Sequence, residues 1–424
     1  MNTIKTKKIF YGWFIVFACM LITGGGIGVI NSTSGVLVKP VCDELGFSRA
    51  EFSFYRTIVT LVGTLLMPFY GKLIGKIGVK KVMLFCTIAL SMITFCYSFA
   101  MQIWHFYLLA TINGVFLNGL HFMTVGILIK NWFDDKQGMA TGIAYAGSGI
   151  GAAIMAPIVG QIVETMGWQS VFQIIGIIIM AVLLPTVLFF VKERPESIGL
   201  APYKENKKAE EKSKGITFEG LTLKQALKTP TFWLLMVPIF LLAIMASAPN
   251  VHTVPYLTDI GYSTAFAASI VSAIMIMLTV AKIILGIFFD KFGTLAGSLF
   301  LSVCCIVFPL LALAAENPSI PWIYSVFFGM ASSGATVPIA VLVSRYFGSR
   351  DYSTIFSVFS MISTLGASVG APIMGAIYDQ TGSYHPAWIM LIIVSMIITV
   401  TLIGANIASR KNNRGDLLKN EAHT

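Results

Sequence analysis

Runs of mainly apolar residues, each long enough to cross a membrane, recur along almost the whole chain. A hydrocarbon core about 30 Å thick is spanned by about 20 helical residues rising about 1.5 Å each. The runs lie near residues 10 to 38, 50 to 70, 80 to 100, 104 to 130, 138 to 162, 168 to 192, 231 to 257, 263 to 289, 294 to 315, 320 to 346, 352 to 376 and 385 to 408. They are continuously apolar, whereas barrel strands alternate, and lipid offers no partner for backbone N–H and C=O groups. The expected fold is all-α, with twelve transmembrane helices. Only 11% of residues are charged, against about a quarter in soluble domains, which is too few for a water-facing surface. The first run follows Lys5, Lys7 and Lys8, yet it is too long for a signal-peptide core and no small-residue cleavage site follows it, so it is expected to remain as a helix.

The net charge of +10 is explained by placement. All of the 29 Lys and Arg except Lys39, Arg49, Arg56 and Lys282 fall in the tails or in alternate loops on one side. This positive-inside pattern predicts cytoplasmic termini, a cytoplasmic 193–228 loop and a multi-pass protein of the plasma (inner) membrane. The basic excess therefore reports topology, and no nucleic-acid partner is expected. Cys19, Cys42, Cys86, Cys96, Cys304 and Cys305 show no metal spacing, so neither a metal site, a cofactor nor a disulfide framework is inferred.

Sliding the chain against itself by 215 residues aligns several landmarks at once. Leu45-Gly46-Phe47-Ser48 meets Ile260-Gly261-Tyr262-Ser263, Pro40 meets Pro255, GKLIGKIG from Gly71 meets GIFFDKFG from Gly286, and Ala156-Pro157-Ile158-Val159-Gly160 meets Ala371-Pro372-Ile373-Met374-Gly375. The chain thus divides into a six-helix half over 1–192, a linker over 193–229, a second six-helix half over 230–408 and a tail over 409–424. The Lys- and Glu-rich stretch from Lys204 to Lys214 lacks the apolar content to fold alone. Beyond it, Thr222 is placed to cap a short helix through Leu223 and Leu227 that Pro230 ends.

Two six-helix repeats around a midplane site describe secondary transporters. A sensor would need a sizeable output domain, and the tail after Arg410 is short. No HExxH or clustered carboxylates mark the spans as those of an enzyme.

Gly71-Lys-Leu-Ile-Gly-Lys-Ile-Gly-Val-Lys-Lys81 resembles the signature loop between helices 2 and 3 of the major facilitator superfamily, and Gly286 to Gly293 repeats it. Tyr11-Gly12-Trp13, the stretch from Asn131 to Gly142 (NWFDDKQGMATG) and Ala226 to Trp233 (ALKTPTFW) together resemble the oxalate:formate antiporter and monocarboxylate transporter branch. The resemblance implies the major facilitator fold and alternating-access carriage of a small organic anion, with Gly71, Gly286 and Asp290 in gating. Two positions depart from the pattern. Gly75 replaces the usual loop Asp in the first half, leaving only Asp290. Lys282 stands where the family usually has an Arg that pairs with the substrate carboxylate, so the charge is kept but the bidentate fork is lost.

Lys282 and Arg56 are cations embedded in apolar runs, and all 19 acids sit in loops, tails or helix ends. An embedded charge costs at least about 2.5–3.5 kcal/mol unless it is paired, cavity-facing or snorkelling. The missing partner is then a substrate carboxylate, or else Lys282 snorkels to the interface and Arg56 meets headgroups or Glu51. On the eleventh span, Ser353, Ser357, Ser360, Thr364 and Ser368 form one stripe that suits either hydrogen bonding or close packing. Asn118 and His121 share a face with Gly114 on the fourth span, and Asn31 shares one with Gly24, Gly28 and Gly35 on the first; the polar members suggest cavity lining. His121 and His252 are placed to bind protons or to serve as structural hydrogen-bonding residues. Tyr145 is a donor to substrate or an interface aromatic. The glycine runs of the fifth and eleventh spans, with Pro157 and Pro372, read as packing and flexing surfaces.

The expectation is a secondary transporter of a mono- or dicarboxylate, working by exchange or proton symport, with lipids and protons as further partners and a monomeric state. A major-facilitator exporter of neutral or amphipathic compounds is the alternative, and a membrane sensor a third.

Overall fold

The computed structural model describes the backbone of residues 10–204 and 220–421. Nearly all of it is helical. Helix α1 spans 12–45, with a π-helical segment at Gly24–Gly28. There follow α2 (Arg49–Ile77), α3 (Val79–Phe99), α4 (Ile103–Trp132), α5 (137–166) and α6 (168–190). The second half comprises α7 (Pro230–Asp259), α8 (264–292), α9 (294–313), α10 (Ile320–Phe347), α11 (Tyr352–Thr381) and α12 (His385–Glu421). The α5/α6 and α8/α9 junctions are single residues, Gly167 (φ 80°) and Gly293 (φ 84°), in a backbone region that L side chains rarely adopt. The outer surface is oily: Phe85 is 65% exposed and Val400 70%, as a lipid-facing surface requires.

The 215-residue register extends to the backbone. Positive φ recurs at Gly46 and Gly261, at Gly78 and Gly293, and at Gly167 and Gly382. Ser48 caps α2 by accepting from Glu51 N, and Ser263 caps α8 by accepting from Phe266 N.

The fourth and tenth spans, expected as single helices, are both broken at the same register. In α4 the helix stops at Leu117, passes through a 3-10 turn at Asn118–Leu120, and restarts at Phe122 after an extended His121 (φ −84°, ψ 167°). In α10 it stops at Ser333 and restarts at Val337 after Thr336. Side chains satisfy backbone groups that each break frees: Thr124 Oγ1 donates to Asn118 O at 2.6 Å, and Ser363 Oγ to Ala335 O at 3.1 Å.

Helices approach closely through glycine. Gly24 and Gly28 of α1 lie on the backbone of Gly147, Ser148 and Gly151 in α5, while Gly366 and Gly370 of α11 lie on Phe240 and Ile244 in α7. The packing role expected for these glycines is the one observed.

Two short arms of the linker are pinned to the bundle on the face that carries Phe10 and Arg410, here the termini face. Tyr203 N donates to Trp132 O at 2.9 Å, and Leu221 N to Phe347 O at 2.9 Å. These acceptors are again related by the repeat. Thr222 caps a single helical turn, Leu223–Ala226, as expected; Pro230 then opens α7 at its first turn as well as closing what precedes it. Most of the charged stretch from Lys204 to Lys214 lies outside the described residues.

Candidate functional site

On the termini face the two halves meet along two seams. In one, Gly138 and Gly142 of α5 lie directly on the backbone of α8 at Gly286 and Lys282. Asp290 closes this seam: Oδ1 accepts from Gly138 N at 2.9 Å and Oδ2 from Met139 N at 2.7 Å, while Arg345 Nη2 pairs with Oδ1 at 3.2 Å. The carboxylate thus sits on unsatisfied N–H groups at the start of α5, where the helix dipole favours negative charge. In the other seam, Gly71 of α2 lies against Ser353 and Ser357 of α11. Gly75, the counterpart of Asp290, supplies no carboxylate there.

Lys282 lies further in and is 5% exposed. Its ammonium crosses to the first half, donating to Ser148 Oγ at 2.9 Å and to Tyr145 O at 3.2 Å, and lies 5.2 Å from the centre of the Phe122 ring. Snorkelling is therefore not its arrangement. Among the described residues no carboxylate pairs with it. Tyr145 is fully buried and its hydroxyl donates to Phe122 O at 2.7 Å, so the donor expected for substrate is committed within the protein.

A cavity of about 190 Å³ opens within the first half, with one wall completed by the second. Helix α2 lines it with Tyr55, Arg56, Val59, Thr60, Gly63, Thr64 and Met67, α3 with Thr94 and Tyr97, and α4 with Asn113, Leu117, Asn118 and His121. Ile27 of α1, Phe172 and Ile175 of α6, and Thr364 of α11 complete it. Four residues singled out from sequence, Arg56, Asn118, His121 and Thr364, are thus brought together. Asn118 Nδ2 donates to Gly63 O at 2.6 Å, and Thr364 Oγ1 to Ser360 O at 3.0 Å. Nδ1 of His121 is buried without a hydrogen-bond partner. Arg56 does not pair with Glu51, whose Oε2 instead accepts from Ser48 N at 2.9 Å in the helix cap.

Lys282, Tyr145, Ser360 and His252 are not among the cavity's lining. His252 Nε2 donates to Ala371 O at 3.0 Å and Nδ1 is hydrogen-bonded to Tyr384 OH at 3.1 Å, so both nitrogens are occupied. The side chain of Asn31 lies outside the described residues. The serine stripe divides: Ser353 and Ser357 pack against Gly71, whereas Thr364 reaches the cavity.

Sequence reasoning missed Ser148, Asn113, Tyr97 and the threonines of α2. For two groups a signal existed: Arg56, Thr60 and Thr64 are spaced by four, as are Asn113, Leu117 and His121.

The sequence profile of the Major Facilitator Superfamily matches residues 13–332. Monocarboxylate transporter 12-B of Danio rerio is 27% identical over 417 residues, covering 88% of this chain and 82% of its own. Monocarboxylate transporter 4 of Gallus gallus is 23% identical, over 88% and 78%. The uncharacterised MFS-type transporter YcxA of Bacillus subtilis (strain 168) is 22% identical, over 92% and 93%. Among solved structures, the outward conformation of the transporter FucP aligns with a TM-score of 0.68 at 14% identity, covering 92% of this chain and 98% of that one. The proton:xylose symporter XylE gives 0.69 at 13% identity, over 93% and 94%. With a profile match over most of its length, twelve helices in two repeats and these relatives, the chain belongs to the major facilitator superfamily, as a multi-pass membrane transporter that resembles the monocarboxylate branch.

Proposed function

We propose that the protein carries a small organic anion, a mono- or dicarboxylate, across the plasma (inner) membrane by alternating access, with its termini face in the cytoplasm. The observation that carries this reading is Lys282, a buried cation between the halves whose described acceptors are neutral. A charge in the membrane interior is expensive, and a substrate carboxylate is the partner that removes the cost at each transit. The relatives named as monocarboxylate transporters support the same class. The basic residues Lys72, Lys76, Lys80 and Lys81 around the α2–α3 junction support the orientation.

The deciding experiment is uptake of labelled organic acids by reconstituted vesicles. Lys282→Gln should abolish uptake with normal membrane insertion, whereas Lys282→Arg should retain part of it. Wild-type uptake by the Gln variant would refute the role of Lys282. Competition by bulky hydrophobic compounds, with none by small acids, would replace the reading with that of an amphipathic-compound exporter.

A further inference from the structure

We propose that the cavity of the first half is an anion station in its own right, which binds a small organic monoanion through Arg56 without help from Lys282. This rests on the organic-anion reading above and adds a second place where the anion stops. Arg56 lines the cavity with no hydrogen bond or ion pair to a protein group among the described residues. A guanidinium offers five donors in a planar fork, so leaving all of them without a protein acceptor beside a cavity presents an anion with a ready partner. Glu51, five residues away and the nearest acid in sequence, is held in the α2 cap by Ser48.

A second and independent feature marks the same cavity. His121 stands at the break in α4 with its buried Nδ1 unpartnered, and it precedes the eleven-residue helix Phe122–Trp132, whose start carries no side-chain cap. A half-helix beginning at a cavity wall inside the membrane adds positive potential there.

The rest of the lining selects the ligand. Arg56 is the one Lys or Arg among the lining residues, which suits a single carboxylate, and Tyr55, Tyr97, Phe172 and Ile175 suit a compact apolar body. Lys282 is not among the residues lining this station; Phe122 lies beside its ammonium, 5.2 Å from Nζ to the ring centre, and follows His121 in the chain.

The test is equilibrium binding of radiolabelled benzoate and oxalate to purified protein in detergent, beside vesicle uptake. Lys282→Gln should bind benzoate within about twofold of wild type, as expected for a site that does not touch the lysine. Added to Lys282→Gln, so that the station alone is read, Arg56→Gln should weaken binding at least about tenfold, as loss of a charge-assisted fork implies, with Arg56→Lys between the two. Wild-type protein should favour benzoate over oxalate. Loss of benzoate binding in Lys282→Gln, or unchanged binding when Arg56→Gln is added to it, would overturn the station while leaving the organic-anion reading intact. A preference for oxalate would do the same. Failure of wild-type protein to bind either acid would overturn the station, and vesicle uptake would then decide the organic-anion reading. If Arg56→Gln does not fold, the Lys282→Gln arm and the benzoate preference decide.

Discussion

Asn118 holds the break in α4 from both ends: its amide donates to Gly63 O on α2, and its carbonyl accepts the Thr124 hydroxyl. Hydrogen bonds between membrane helices average about 0.6 kcal/mol and reach about 1.7, and this buried one joins two cavity-lining helices. Asn118→Ala should therefore lower stability by about 1 kcal/mol in reversible unfolding from mixed micelles; an unchanged midpoint would show that the break holds without it. Such residues were legible because they interrupt apolar runs: Arg56, Asn118, His121 and Thr364 each stand out against their spans. Tyr97 was not legible, since an almost wholly apolar helix leaves its rotation unspecified and gives a lone polar residue no assigned face. Ser148 was hidden for a different reason. Its partner Lys282 lies 134 residues away in the other half, so only the assembled bundle pairs them.

The two seams of the termini face are built alike except at one pair of positions. Gly71 and Gly286 both allow a backbone-close approach, yet Asp290 grips the start of α5 while Gly75 offers α11 nothing. Space does not require glycine at 75, where an added Cβ would lie 3.5 Å from Ser353 Oγ, an ordinary contact. Asp290→Asn should weaken this seam, and Gly75→Asp should strengthen the other by capping α11. Labelling of single cysteines on the termini face should accordingly be faster in the first variant and slower in the second. Equal rates in both would show that neither position governs closure. The helices themselves were readable from hydropathy, and the repeat from its glycine and proline landmarks. The breaks in α4 and α10 were not, because a membrane span reads as one run whether or not its backbone is continuous.

On the alternating-access reading proposed above, Lys282 and Arg56 change surroundings between states. Bare charges re-orient at a cost, so an unloaded carrier should return slowly and exchange of one anion for another should outpace net uptake. His121 is the histidine that lines the cavity, whereas His252 has both nitrogens hydrogen-bonded elsewhere. Vesicles preloaded with unlabelled substrate should therefore take up labelled substrate several-fold faster than empty ones. Uptake indifferent to internal substrate, raised by external acid and losing that response in His121→Ala, would establish proton symport instead. The linker has its own consequence for such motion. Eighteen residue steps separate Tyr203 from Leu221, and an extended chain covers up to about 3.6 Å per step, so the tether could reach about 60 Å. That is roughly twice the thickness of the hydrocarbon core. Chain length therefore puts an upper limit on how far apart the halves could drift while the seams are open, and the packed seams set their register.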